Sequence, residues 1–360
     1  MGRSILVFVL FLGLFFSCTP VKKTEEITQP KIAASVITDT VSYDTDDPAI
    51  WVHPSDPDKS LIIGTDKDSL GALYVFNLEG KIVDSLVRKG IQRPNNVDVG
   101  YGLTLADGSK VDFAVTGERL TSKLRFFSLP DMKELNPGGF EIFQGEIGPD
   151  FRDLMGVALY KSPNTGKQYV IAGRKNGPTD GTYLWQYEIT TAADGLRLEL
   201  VRKFGQYSGK KEIEAIAVDN ELGTVLYCDE QFGIRKYKAD PALNDNKELA
   251  FFGQKDFKAD HEGIAIYKKT DSTGYILVSN QQANTFMVYP REGDKANPNQ
   301  YTLLAEIPVS AIETDGADAS NVNFGPAYPK GIFVAMSTDK TFHFYDWRII
   351  EAKIKQGIVK

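Results

Sequence analysis

The chain has 360 residues, with 48 acidic against 41 basic side chains and a net charge of −7. A body of that size buries a substantial core, and the acidic balance, with no dense basic cluster, excludes electrostatic binding to nucleic acid. Hydrophobic residues make up 42% and aromatics 11%, and glycine and proline are spread throughout, which suits many short strands and turns more than long helices.

The first element in chain order is a targeting segment. Arg3 opens it, and Ile5 to Phe16 are almost wholly apolar. That run is shorter than the roughly 20 residues needed to cross a bilayer as a helix, so residues 1–17 are expected to be a signal peptide. It ends at Phe15-Phe16-Ser17-Cys18, which resembles a bacterial lipoprotein cleavage box with Cys18 as the lipidated residue; simple secretion is the alternative. Residues 18–34 are polar and unpatterned, as a tether would be. The expected location is therefore outside the cytoplasm, lipid-anchored to the bacterial cell envelope at the outer membrane or the periplasmic face. The lipid would be the sole membrane attachment, and a monomer is the expected state. With Cys18 lipidated, Cys228 has no partner for a disulfide and is expected as a small buried residue.

From residue 35 to 350 one pattern recurs: an acidic or polar residue, a short alternating strand, a turn, a second apolar strand ending in polar residues, and a third strand rich in aromatics. The copies begin near residues 47, 96, 155, 214, 262 and 315. A period of about 50 residues leaves room for four short antiparallel strands in each. The first copy reads Asp47-Pro48-Ala49-Ile50-Trp51-Val52, then Leu61 to Lys67, then Leu73 to Phe76. Fourth strands are visible at Lys81 to Leu86 and Leu198 to Phe204. Six such units without long helices between them predict an all-β, six-bladed β-propeller of four-stranded antiparallel blades. Val36 to Ser42 is expected to add the missing outer strand of the sixth blade and close the ring, and residues 351–360 to form a C-terminal tail.

The repeat also predicts a site. The first and second strands of a copy are antiparallel neighbours, so the start of one and the end of the other share a rim. All inner strands of a propeller run the same way, which gathers these residues around one mouth of the central channel. The set is Asp46, Asp47, Asp66, Lys67, Asn96, Arg119, Arg174, Lys175, Glu214, Asp229, Glu230, Asp260, Glu262, Asp315 and Asp318. So many carboxylates together repel one another unless cations lie between them. Calcium, which takes six to eight oxygen ligands, is the natural occupant. Asp46, Asp47, Glu214, Asp229, Glu230, Asp260, Glu262, Asp315 and Asp318 are its candidate ligands. Zinc is disfavoured, because His53, His261 and His343 show no ligand spacing. Lys67, Arg119, Arg174 and Lys175 are interleaved with the acids. One such residue would be read as an ion-pair partner; their recurrence at the same blade position points to binding an anion such as a phosphate ester.

Four ordered motifs resemble the β-propeller phytases. They are Asp46-Asp47-Pro48-Ala49-Ile50-Trp51-Val52-His53-Pro54, Asn95-Asn96-Val97-Asp98-Val99, Asp260-His261-Glu262-Gly263-Ile264-Ala265-Ile266-Tyr267, and Thr314-Asp315-Gly316-Ala317-Asp318. The resemblance covers roughly residues 35 to 350. It implies calcium-dependent hydrolysis of phytate, with calcium ions bridging substrate phosphate and the water that attacks phosphorus directly, and release of inorganic phosphate. By that resemblance Asp47, Glu214, Asp229, Glu230 and Asp315 carry the chemistry, Asp260 and Glu262 complete the ion and water ligands, and Lys67, Arg119 and Lys175 hold phosphates. Met155 departs from the family where a tyrosine is usual, Asp68 where some members have a second lysine, and Ala215 where glycine is usual. Two other readings stand beside it: a calcium-dependent lactonase or esterase on the same fold, and a surface lipoprotein that only binds a ligand.

Overall fold

The structure, a computed structural model, describes Gly2 and residues 30–193 and 195–357. The expected signal peptide, Cys18 and nearly all of the tether lie outside the described residues. The chain divides into Met1–Pro30 and a compact unit of Lys31–Lys360, and every strand among the described residues lies in the second. Among the described residues, no helix is long and apolar enough to cross a membrane.

A short strand, β1 (Val36–Ile37), comes first. Blade 1 then holds β2 (Thr45–Trp51), β3 (Leu61–Asp66), β4 (Ala72–Phe76) and β5 (Arg88–Lys89). Blade 2 holds β6 (Pro94–Thr104), β7 (Lys110–Glu118), β8 (Lys123–Leu129) and β9 (Phe140–Glu141). Blade 3 holds β10 (Leu154–Lys161), β11 (Gln168–Arg174), β12 (Leu184–Ala192) and β13 (Gly195–Phe204). Blade 4 holds β14 (Ile216–Asp219), β15 (Thr224–Asp229), β16 (Gly233–Lys238) and β17 (Ala250–Phe252). Blade 5 holds β18 (Ile264–Lys268), β19 (Gly274–Asn280), β20 (Thr285–Pro290) and β21 (Ala305–Pro308). Blade 6 holds β22 (Ala317–Ser320), β23 (Ile332–Ser337) and β24 (Thr341–Asp346). Every sheet is four-stranded, and β1 completes the sixth by pairing with β24, Val36 opposite Phe344 and Ile37 opposite His343. The expected six-bladed propeller and its closing strand are thus present.

Strand periodicity explains the packing. Successive side chains point to opposite faces, so Leu61 and Ile63 of β3 join the core between blades 1 and 2, while Ile62 joins the core between blades 6 and 1. In β15, Val225 and Tyr227 face blade 3, and Leu226 and Cys228 face blade 5. Each second strand is sandwiched on both sides, which is why these segments read as continuous apolar runs. Six hydrophobic clusters result, one at each blade junction. Cys228 is wholly buried, as expected.

Three boundaries differ from expectation. The closing strand, expected to run to Ser42, ends at Ile37. Within Lys81 to Leu86, Ile82 makes only an isolated bridge to Phe76, and Asp84–Leu86 forms a 3-10 turn. The fourth strand comes later, as Arg88–Lys89 beside Ala72 and Leu73. Polar Asp84 and Ser85 break the alternation that a strand needs against the core. The chain also continues past residue 350 as helix α1 (Trp347–Ile354), capped by the Asp346 carboxylate on the Arg348 amide. Trp347, Ile350 and Ile354 are buried in the cluster between blades 5 and 6, and Trp347 stacks on Tyr267. Packing therefore extends beyond the boundary expected for the tail.

Candidate active site at the channel mouth

Blade geometry sorts adjacent residues into different environments. The first residue after each of five second strands is Lys67, Arg119, Lys175, Glu230 or Gln281. The residue before it ends the strand and points the other way. Asp66 accepts from the amides of Tyr43 and Asp44, Asn280 from the Lys258 amide, and Glu118 pairs with Arg125. The same alternation moves two expected site residues out of the mouth. Arg174 is 0% exposed, its guanidinium 2.7 Å from Glu146 and packed against Phe143, Phe151, Tyr183 and Trp185. It leaves the phosphate-binding set. Asp229, also 0% exposed, accepts from Ser208 and pairs with Arg235 at 2.9 Å, so both its oxygens are engaged inside the blade.

The first strands are sorted by bulges. The β2–β3 register slips between Thr45 and Pro48, β6–β7 between Pro94 and Val97, and β10–β11 between Leu154 and Val157. A bulge re-aims the extra residues. Asp46 turns to the mouth, bonded to Lys67 and, at 3.2 Å, to the Asn95 amide. Asp47 turns into the channel and accepts from the Val97 amide of the next blade. Asp318 lies in the channel too, accepting from the amides of Ile50 and Ala319. Asp47 and Asp318 therefore belong to the channel wall rather than to the acidic cluster at the rim. Met155 occupies in blade 3 the bulge position held by Asp46 and Asn95, and is buried. Gly156 in that bulge lets the Glu214 carbonyl approach, and Gly316 makes room for Asp47; a Cβ at either would clash.

The remaining acids do meet. Asn95 bridges Asp46 and Glu214, donating to the latter at 3.0 Å. Lys67 reaches from Asp46 to Asp315, 3.2 Å away. Gln281 joins Asp315, at 2.5 Å, to Glu262, at 2.9 Å. Carboxylate oxygens of Glu212, Glu214 and Glu230 lie within 4.8 Å of one another, and so do those of Glu230, Asp260 and Glu262. Glu230 is common to both trios. Arg119 is 7% exposed and 3.5 Å from Asp153, while the 38%-exposed Lys175 side chain stands 3.8 Å from Glu212. Sequence reasoning missed Asn95, Lys211, Glu212 and Gln281 as site contacts. Gln281 follows its second strand as Lys67 does in blade 1, and Lys211 and Glu212 precede Glu214, so blade position was the available signal.

Crowding shows in the protonation equilibria. Burial, then the charges of Glu214 and of other neighbours, pushes Glu230 up to about 8. Burial and neighbouring Asp315 raise Glu262, and burial with Glu214 raises Asp46. Asp315 is held low: burial works against it, but the Lys67 charge and hydrogen bonds from Glu262 and Gln281 prevail. Asp260 is held low too, against its burial, by hydrogen bonds from Gln231 and Lys211 and by the Lys211 charge. Carboxylates so placed either hold protons or receive cations. The donor set is all oxygen, and Glu230 Oε1 is buried without a hydrogen-bond partner, so the residues present fit a hard divalent cation. His261 is no part of it; its Nε2 lies 3.0 Å from the Asp229 carbonyl and its ring packs on Phe257.

Comparison with known proteins agrees with this arrangement. The model of the Phytase family matches residues 4–345. A 3-phytase of Bacillus subtilis (strain 168) is 30% identical over 320 residues, which cover 85% of this chain and 78% of the relative. One chain of the crystal structure of the mitotic checkpoint complex aligns over 89% of this chain and 97% of its own, at a TM-score of 0.47 and 10% identity, a likeness too low to bear on fold or function. On the family match and the 3-phytase relative, the chain belongs to the Phytase family and is, with it, a hydrolase of the phytase class.

Proposed function

We propose that this protein hydrolyses phosphate monoesters of phytate in a calcium-dependent reaction and releases inorganic phosphate. The observation that carries the reading is the pair of carboxylate trios sharing Glu230, bordered by Lys67, Arg119 and Lys175. An acidic mouth alone repels a polyanion; an acidic mouth that takes up divalent ions accepts one. Glu212, Glu214 and Glu230 would hold calcium, with Asp260, Glu262 and Asp315 completing the acidic wall. When bound, the ion supplies a Lewis acid that polarises phosphoryl oxygens and lowers the pKa of water.

The chain's own side chains do the positioning. Lys175, the most exposed of the three bases, presents its ammonium to an incoming phosphate, and Arg119 offers a planar guanidinium for bidentate contact. Lys67 keeps Asp315 ionised and orients it together with Gln281. Asn95 fixes the Glu214 carboxylate from across the channel. Such positioning accounts for most of what a protein contributes to phosphoryl transfer.

Incubating the purified domain with phytate, with and without calcium, and measuring released phosphate tests this reading. Release abolished by chelator and restored by calcium is expected; calcium-independent release, or lactone turnover without phosphate release, would sink it. Glu214→Gln is expected to lower turnover about 100-fold while the domain stays folded. We also propose export and lipid anchoring at Cys18, motivated by the Phe15-Phe16-Ser17-Cys18 run. Cys18→Ser should move the protein from the membrane fraction to the soluble one, and an unchanged distribution would exclude the anchor.

A further inference from the structure

Lys211 is not among the bases that the second-strand ends place at the mouth, yet its ammonium lies where an ion would be expected. It precedes β14 and reaches into the trio formed by Glu230, Asp260 and Glu262. Its Nζ is 2.8 Å from Glu230, 3.0 Å from Asp260 and 3.2 Å from Glu262. A lysine ammonium carries three donors and no acceptor, so three carboxylates match its capacity.

Both carboxylate oxygens of Asp260 and the second of Glu262 are also engaged, whereas Glu230 Oε1 is not. Asp260 Oδ1 accepts from Gln231 at 2.8 Å, and Asp260 Oδ2 from Gln282 at 2.9 Å. Glu262 Oε2 accepts from Gln281 at 2.9 Å. Amide donors occupy lone pairs that a metal would need, and a neutral amide cannot ligate through its N–H. The second trio differs. In the Glu212–Glu214–Glu230 trio, Glu214 accepts from Asn95 at 3.0 Å, and Glu230 Oε1 is buried with no hydrogen bond. Lys175 stands beside it, 3.8 Å from Glu212. Of the two adjoining carboxylate trios, one thus holds an ammonium within 3.2 Å of all three members, while in the other Lys175 approaches Glu212 only to 3.8 Å.

We propose that Lys211 is a built-in cation, its ammonium standing in for a divalent ion between Glu230, Asp260 and Glu262 and confining ion binding to the Glu212–Glu214–Glu230 trio. The inference rests on the reading of the mouth as an ion-binding site but concerns how many ions this chain takes. A tethered ammonium offsets part of the charge of the Glu230–Asp260–Glu262 trio at any calcium concentration, whereas a free ion must be recruited from solution by mass action. Glu230 then turns one oxygen to Lys211 and keeps the other for the ion, which orients it for both neighbours.

Calcium stoichiometry decides the matter and does not depend on turnover. Titration calorimetry would count bound calcium ions on the wild-type domain, on Lys211→Met and on Lys211→Arg, each checked for folding by near-ultraviolet dichroism. Lys211→Met is expected to bind one calcium more than wild type, and Lys211→Arg, which keeps the charge, the same number as wild type. Equal or lower counts in Lys211→Met overturn the proposal, as does an extra ion in Lys211→Arg. A Lys211→Met domain that folds only when calcium is added supports it, since the ion then replaces the ammonium. The two readings fail separately. A wild type that binds no calcium, beside a Lys211→Met that gains one ion, sinks calcium-dependent hydrolysis and supports the built-in cation.

Discussion

Arg174 and Lys175 are adjacent basic residues at the end of one strand, yet only Lys175 reaches the mouth. Their contrast yields a prediction at the residue scale. Arg174 is buried beside Glu146 and four aromatic rings, so Arg174→Met leaves Glu146 with only Lys203, 3.6 Å away, and removes cation–π contacts. Thermal or urea unfolding should show a loss of roughly 2–3 kcal/mol, with KM for phytate unchanged. Lys175→Met should do the reverse: stability within about 0.5 kcal/mol of wild type, and KM raised about tenfold from the loss of one charge-assisted contact. A raised KM in Arg174→Met with normal stability would restore it to the site. The basic character of both was legible in the sequence. Which one faces the ligand depended on strand phase at the rim, and a one-residue error in phase exchanges their roles.

At the scale of elements, the outer strand of blade 6 comes from the opposite end of the chain. β1 pairs with β24, and the amides of Ile32, Ser35 and Thr38 donate to Pro308, Phe344 and Phe342. Pairing both chain ends in one blade removes a sheet edge and prevents the ring from opening between blades 6 and 1. Truncation through Thr38 should therefore cost on the order of 3 kcal/mol from lost backbone hydrogen bonds alone. It should also lower the melting temperature and expose β24 to aggregation, read by scanning calorimetry and light scattering. An unchanged melting temperature would mean that β1 is dispensable for closure. Of the run Val36 to Ser42, expected as a strand, only Val36–Ile37 forms one; its place at the sixth blade was readable, because short alternating runs carry their own signal. The bulges that aim Asp46 and Asn95 were not, since an extra residue shows only against its partner strand.

At the scale of the whole molecule, the channel links blades through carboxylates. Asp318 accepts from Ile50 of blade 1, Asp47 from Val97 of blade 2, and Asp98 from Leu159 of blade 3 at 2.7 Å. Burial raises the Asp98 carboxyl to about 7 and the Asp318 carboxyl to about 6. An acid whose pKa is higher folded than unfolded binds more protons in the native state throughout the interval between the two values. Stability from Asp98 is therefore present at low pH and falls as pH rises from about 4 to about 7, then levels off. Asp98→Asn should flatten that part of the pH–stability curve and raise stability at pH 8 relative to wild type by on the order of 2 kcal/mol, channel water screening the remainder. Denaturant unfolding at pH 4, 6 and 8 checks this; a wild type more stable than Asp98→Asn at pH 8 would contradict it.

The sequence by itself determined the blade count, the all-β class, the closing strand and the residue types at the rim, because each repeats locally with the two-residue period of a strand. It also carried the four motifs by which the chain resembles its family. Only the tertiary structure decided which rim residues share a site. It separated Lys175 from Arg174 and Asp46 from Asp47, moved Asp318 into the channel, and brought in Lys211, Glu212, Asn95 and Gln281. Those assignments depend on strand phase, bulges and contacts between blades far apart in the chain, where no local pattern records which side chain meets which.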